Sequence, residues 1–232
     1  PECRGEYGAK IDERAVGDDS CPFCAGTRVL HGFNDLTTTD PDLASEWSAN
    51  NRRSPTTVRK QIKANAMWNC PTCGGGYRYP VNKREVGDDS CPYCNKNSVL
   101  PGFNDLLTTN PELAMQWSSN NERGPDTIRK NFCFFALWIC PACAGEYSAV
   151  IRGREVGDDS CPYCNGNSVL TGYNDLLTTD PKLAAEWSPN NARAADTVRK
   201  SNRFSAQWIC PKCHGEYSAV IRGREVGDDS CP

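Results

Sequence analysis

The cysteines constrain this chain more than any other feature. Nearly all of them sit in one motif, Cys-Pro-x-Cys: Cys21/Cys24, Cys70/Cys73, Cys91/Cys94, Cys140/Cys143, Cys161/Cys164 and Cys210/Cys213, with Cys3 and Cys231 as half pairs. Cys21, Cys91, Cys161 and Cys231 stand a constant 70 residues apart, and so do the other members of the set. Two thiolates three residues apart converge on one ion when the backbone folds into a knuckle, and two knuckles complete a tetrahedral site. Seventeen residues separate Cys73 from Cys91, and Cys143 from Cys161, within the usual spacing for a four-cysteine zinc centre. The expected quartets are Cys70, Cys73, Cys91, Cys94 and Cys140, Cys143, Cys161, Cys164. Partial sites are expected at Cys3, Cys21, Cys24 and at Cys210, Cys213, Cys231.

Three other readings of the thiols compete. A disulfide framework fits cysteine-rich secreted chains, but evenly spaced knuckles favour metal, and with it an intracellular setting. Iron fits the same four thiolates, although Zn2+ is the expected ion. Joining each knuckle to the one about 45 residues downstream closes a longer loop at greater entropic cost. A four-cysteine zinc ion has no open position for water, so its expected role is structural rather than catalytic.

The rest of the sequence repeats at the same step. Asn34-Asp35-Leu36 recurs at 104–106 and 174–176, Trp47 at Trp117 and Trp187, and Trp68 at Trp138 and Trp208. Residues 145–162 and 215–232 are identical. The divisions expected from this pattern are a partial repeat at 1–24, repeats with complete zinc modules at 25–94 and 95–164, and a repeat with a truncated module at 165–232. The chain opens and closes inside its own motif, so it reads as a window on a longer array. Asp40-Pro41 predicts a short helix, with Asp as cap and Pro at the first helical position, placing Leu43, Ala44 and Trp47 on one face. The same signal recurs at Asn110-Pro111 and Asp180-Pro181. Strands are expected at 197–200, 204–210 and 146–152, the last because Tyr147, Ala149 and Ile151 alternate with Ser148, Val150 and Arg152. Gly157-Asp158-Asp159-Ser160 reads as a turn. The expected architecture is therefore a set of small zinc-stapled α+β modules of about 70 residues. Each has two knuckles, a β-hairpin and one short helix, strung into an elongated array. A unit this thin in apolar mass needs its staple.

The order Trp138-Ile139-Cys140-Pro141-Ala142-Cys143, Arg154, Cys161-Pro162-Tyr163-Cys164 and Asn174-Asp175-Leu176 resembles the zinc-ribbon (treble-clef-like) tandem repeat family of bacterial and algal proteins. The resemblance covers essentially the whole chain. It implies zinc binding and, by analogy, a nucleic-acid role. Where that family often has Gly-His after the first knuckle, this chain reads Gly74-Gly75, Ala144-Gly145 and His214-Gly215, so no histidine role carries over.

Charge bears on the partner. Lys and Arg number 26 against 29 Asp and Glu, a net charge of −3, and thiolate ligation makes the loaded chain more acidic. A basic surplus, the usual footprint of nucleic-acid binding, is absent. A local stripe of Arg59, Lys60, Arg129, Lys130, Arg199 and Lys200 with Arg84, Arg154 and Arg224 remains the candidate binding surface. The same cations are equally suited to neutralising neighbouring acids. His31, His214 and the lone thiol Cys133 read as surface residues, the tryptophans as mini-core, and Asp88-Asp89 and Asp158-Asp159 as turn residues. No nucleophile–base pair recurs, so an enzyme is not expected. A scaffold that binds protein or assembles with itself is the leading expectation, a nucleic-acid-binding array the alternative. No apolar run long enough for a membrane helix is present.

Overall fold

A computed structural model describes residues 2–12, 21–227 and 231–232. The chain divides into two compact units, Pro1–Asn104 and Asp105–Pro232. The first contains helices α1 (Leu36–Thr39) and α2 (Pro41–Ser45) and the hairpin β1 (Asn65–Asn69) and β2 (Gly76–Pro80). Ahead of them Cys3, Cys21 and Phe23 form a small separate cluster. The second unit holds the same set twice: α3 (Leu106–Thr109), α4 (Pro111–Ala114), β3 (Phe135–Ile139) and β4 (Glu146–Val150), then α5 (Leu176–Thr179), α6 (Pro181–Ala184), β5 (Ser205–Ile209) and β6 (Glu216–Val220).

Each repeat therefore has two short helices where the sequence led to one. The extra helix is made by an aspartate cap rather than by periodicity. Asp105 is fully buried and accepts hydrogen bonds from the Thr108 N–H (2.8 Å) and hydroxyl (2.7 Å), satisfying donors that four residues of helix cannot. At the next helix the expected side-chain cap forms only at Asp180, from the Leu183 N–H; Asp40 and Asn110 make none. Pro41, Pro111 and Pro181 start these helices, as their fixed φ allows.

Every hairpin is antiparallel and pairs a tryptophan with a tyrosine: Trp68 with Tyr77, Trp138 with Tyr147, Trp208 with Tyr217. The first Cys-Pro-x-Cys knuckle forms the connection between its strands. The outer edge of β3 does not stay open. The Ser118 N–H donates to Leu137 O and the Ile139 N–H to Gln116 O, while the Asn121 side chain both accepts from the Leu137 N–H (2.9 Å) and donates to Leu137 O (2.8 Å). The Asn121 amide thus stands in for a peptide group of a third strand, which answers the hazard of an unpaired edge. The segment at 197–200, expected as a strand, joins no sheet. Its first residue closes a single 3-10 turn, Ala195–Thr197, and Val198 O accepts from the Leu176 N–H at 2.7 Å. Residues 146–152 alternate as expected only as far as Val150, after which Ile151–Gly153 turns as a 3-10 helix and buries Ile151.

The hairpin and helices enclose one core per repeat. Around Trp138, which is 0% exposed, lie Leu106, Leu113, Ile128, Ala136, Tyr147 and Ile151. Trp117 packs edge-on against Trp138, ring centres 5.0 Å apart and planes at 86°, and the other two Trp pairs repeat this geometry. The sulfurs of Cys140 and Cys161 belong to the same core, so the metal site and the hydrophobic interior are one structure.

Candidate metal centre

The two knuckles of a repeat meet at the end of its hairpin. In the first knuckle the Gly74 N–H donates to Cys70 O (2.8 Å) and the Cys70 N–H to Gly75 O (3.0 Å); Ala144 and Gly145 repeat this around Cys140. The residue after the second cysteine must take a left-handed conformation to close the loop. Gly74 does so freely at φ 69°, whereas Ala144 and His214 adopt it at 55° and 58° against the preference of L-residues. The next position needs glycine for a different reason: a Cβ on Gly145 would stand 2.7 Å from the Tyr163 ring and 2.8 Å from Leu170. The second knuckle is tied to the chain that follows by Asn174, whose amide donates to Tyr163 O and Ser168 O while its oxygen accepts from the Leu170 N–H.

The result is convergence of sulfur. Cys70, Cys73, Cys91 and Cys94 place their Sγ atoms within 4.8 Å of one another, as do Cys140, Cys143, Cys161 and Cys164. Cys3, Cys21 and Cys24, and Cys210, Cys213 and Cys231, form trios under the same limit. Cys70–Cys94, Cys73–Cys91, Cys140–Cys164 and Cys143–Cys161 are all separated by 3.6 Å. A zinc ion with four sulfurs at ~2.3 Å requires S–S edges of about 3.8 Å, and a disulfide requires about 2.05 Å. The quartets match the first distance, and all these cysteines are free thiols. Backbone donors prepare the sulfurs for this role. Against burial, which pushes it up, the N–H groups of Cys73 and Thr72 hold the Cys70 thiol down to about 7, and those of Cys143 and Ala142 do the same for Cys140. Burial and the neighbouring sulfurs push Cys143 up to about 12. Four thiols packed together cannot all ionise without a cation between them, and Zn2+ supplies that cation. The four-cysteine clusters fit structural zinc.

The candidate basic stripe is dispersed by the fold. Arg84, Arg154 and Arg224 are each 2% exposed. Arg84 pairs with Glu46 and with Asp88 at 2.8 Å, Arg154 with Gln116 and Asp158, and Arg224 with Glu186 and Tyr217. Their guanidinium groups lie over Trp68, Trp138 and Trp208, 5.8, 5.0 and 5.3 Å from the ring centres. They are core residues, correcting the surface role foreseen for them. Lys60 pairs with Glu85 at 2.9 Å, Lys130 with Glu155, and Lys200 with Asp180 at 2.8 Å and Glu225 at 3.2 Å. Arg59 and Arg199 lay their guanidinium groups over Gly26 and Gly166, and Arg129 lies 5.2 Å from the Phe132 ring centre. The Asp pairs make turns: Asp158 accepts from the Glu155 and Ser160 N–H groups. His214 and Cys133 are exposed, and His31 lies 3.6 Å from the Asp35 carboxylate.

Sequence reasoning missed one recurring surface. Beside each half-buried tryptophan lies a groove, lined by Trp47, Asn51, Arg53 and Asn65 in the first repeat, Trp117, Asn121, Arg123 and Phe135 in the second, and Trp187, Asn191, Arg193 and Ser205 in the third. The groove volumes are about 450, 470 and 430 Å³. Each tryptophan is oriented by donating its indole N–H to the carbonyl of that arginine, at 2.9–3.0 Å. The signal was present as the Trp-Ser-x-Asn-Asn-x-Arg run at 47–53, 117–123 and 187–193.

Comparison with known proteins agrees with the geometry. The family described as "Probable Treble clef zinc finger domain" matches residues 43–97, 113–167 and 183–232, more than half of the chain. Over 135 residues, 55% of its length, the chain is 23% identical to an uncharacterized protein of Acanthamoeba polyphaga mimivirus. It spans 32% of the length of that curated relative.

Proposed function

Since the chain belongs to this treble-clef zinc finger family, with three tandem repeats, we propose that it is a non-enzymatic, zinc-stapled array that presents the same protein-binding groove once per repeat. The observation that carries this reading is the Trp–Asn–Arg groove, which recurs in all three repeats with nearly equal volume. A half-exposed indole and a guanidinium suit an extended peptide with an apolar side chain and a carboxylate; Trp and Arg are favoured anchors of protein interfaces. The zinc centres contribute rigidity. With four sulfurs each, they leave no coordination position for water or substrate, which supports a structural rather than hydrolytic role. Repeated modules allow many weak contacts to sum through effective concentration.

The alternative partner is nucleic acid, favoured by one local feature: Arg52, Arg53 and Arg78 all line the first groove. Against it stand the net charge of −3 and the burial or pairing of most other candidate cations. Titration of the zinc-loaded chain with duplex DNA and with RNA at low salt separates the two. No binding is expected. Binding whose affinity falls steeply with salt, as phosphate contacts require, overturns the protein-array reading in favour of a nucleic-acid array. Among the described residues no helix is long and apolar enough to cross a membrane.

A further inference from the structure

The two complete zinc centres differ in a contact made to the last cysteine of each quartet. The Tyr173 hydroxyl lies 3.5 Å from Cys164 Sγ, within hydrogen-bonding distance for sulfur. At the equivalent place beside the Cys94 knuckle stands Phe103. The backbone at both places is fixed alike. The Phe103 N–H donates to Leu100 O at 3.1 Å and the Tyr173 N–H to Leu170 O at 3.0 Å. Asn104 and Asn174 each donate to the knuckle carbonyl, Tyr93 O and Tyr163 O, at 2.8 Å. The repeat thus supplies its own control: the same scaffold with the hydroxyl and without it.

A zinc-bound thiolate has no proton, so in the loaded site the phenol must be the donor. A hydrogen bond to a ligand sulfur draws charge from it, and such partners tune metal sites measurably. Cys164 is an exposed ligand, open to electrophiles and oxidants, and thiolate charge governs that reactivity. We propose that Tyr173 is a reactivity-setting residue, whose hydroxyl shields Cys164 and makes the Cys140/Cys143/Cys161/Cys164 centre slower to lose zinc to electrophiles than the Cys70/Cys73/Cys91/Cys94 centre. Under oxidative or alkylating stress the array opens first where phenylalanine stands. This rests on zinc filling the quartets and is independent of which partner occupies the grooves.

The test is competitive alkylation of the full zinc-loaded chain with iodoacetamide, resolved by peptide mass spectrometry. Exposed Cys133, outside every cluster, is the internal rate reference, and zinc content is measured by elemental analysis before the reaction. Tyr173→Phe is expected to raise the Cys164 rate by about tenfold, the lower end of what hydrogen-bond partners of metal ligands contribute. Phe103→Tyr is expected to slow Cys94 correspondingly. In the cadmium-substituted chain, Tyr173→Phe should shift the 113Cd resonance of one centre and Phe103→Tyr that of the other. Unchanged Cys164 and Cys94 rates with full zinc content overturn the proposal, as does a pair of substitutions that move no cadmium resonance.

Discussion

Gly74 and Gly75 are neighbours in the first knuckle, and the same added methyl group is expected to act very differently at each. At Gly74 nothing lies within 4 Å of where a Cβ would stand, and the only obstacle is φ of 69°. Left-handed backbone costs an L-residue roughly 1–2 kcal/mol. Replacing glycine recovers roughly 0.5–1 kcal/mol of unfolded-state entropy. The net loss for Gly74→Ala is therefore about 0.5–1 kcal/mol. Ala144, which holds φ of 55° at the equivalent position, already makes this change within the chain. At Gly75 a Cβ would stand 2.6 Å from Tyr93 Cδ2 and 2.9 Å from Leu100 Cδ2. Relief requires the ring between Cys91 and Cys94 to move, breaking the Tyr93 hydroxyl bond to Gly76 O at 3.1 Å. Overpacking of this kind costs roughly 1–3 kcal/mol, and the lost hydrogen bond about 1 kcal/mol more. Gly75→Ala should thus lose about 3 kcal/mol. Zinc affinity is coupled to the fold of its module, so that loss lowers the competition constant of this centre by about 100-fold, against less than about fivefold for Gly74→Ala. Zinc competition against a chromophoric chelator, with hydrogen exchange of the β1–β2 amides to localise the effect, measures both. Equal effects, or a larger one at Gly74, would refute the assignment of one glycine to conformation and the other to close approach.

Three further outcomes are expected. Chelation of zinc should abolish the near-ultraviolet circular dichroism of the buried Trp68, Trp138 and Trp208, and zinc should restore it, since site energies of about 10 kcal/mol or more exceed what so thin a core supplies; retention of the signal in zinc-free protein would deny the staple. Glu46→Gln should cost less than about 1 kcal/mol, because Gln116 already serves Arg154 with an amide oxygen, whereas Arg84→Met should cost about 3–5 kcal/mol by stranding the buried Glu46 carboxylate; thermal unfolding at fixed zinc ranks the two. Burial pushes the Asp35 carboxyl up, but the hydroxyls of Thr37 and Thr38 and the N–H groups of Gly32 and Thr38 outweigh it and hold the group well below the usual carboxylate range. Its stabilisation is therefore complete above about pH 4 and is lost as pH falls towards its folded value, so the stability gap between wild type and Asp35→Asn should narrow in acid and stay flat from pH 5 to 8.

What could be read from the sequence divides by the distance over which information had to travel. The metal clusters were legible because a knuckle is local and a 70-residue period exposes its partner; 17 intervening residues sufficed to pair Cys73 with Cys91. The hairpins were legible where alternation ran far enough, as from Tyr147 to Val150. The helices α1, α3 and α5 were not, since four residues carry no period and the cap at Asp35, Asp105 or Asp175 is a single letter among many. Arginine placement failed for a longer-range reason. Arg84, Arg154 and Arg224 acquire their partners Glu46, Gln116 and Glu186 from 38 residues upstream, across the whole helix pair and hairpin. No local pattern distinguishes such a residue from a solvated one. Charge alone pointed to the surface, yet a guanidinium set on a tryptophan face with oxygens at its terminal nitrogens is held inside. The repeat nevertheless holds the decisive clue: Gln116 replaces an acid opposite Arg154 without loss of geometry. That substitution fits a hydrogen-bonded core post and conflicts with a surface ion pair, where the charge itself would be the purpose. Internal variation between repeats therefore does for this chain what comparison of relatives does for others, and it is the same logic that makes Phe103 a control for Tyr173.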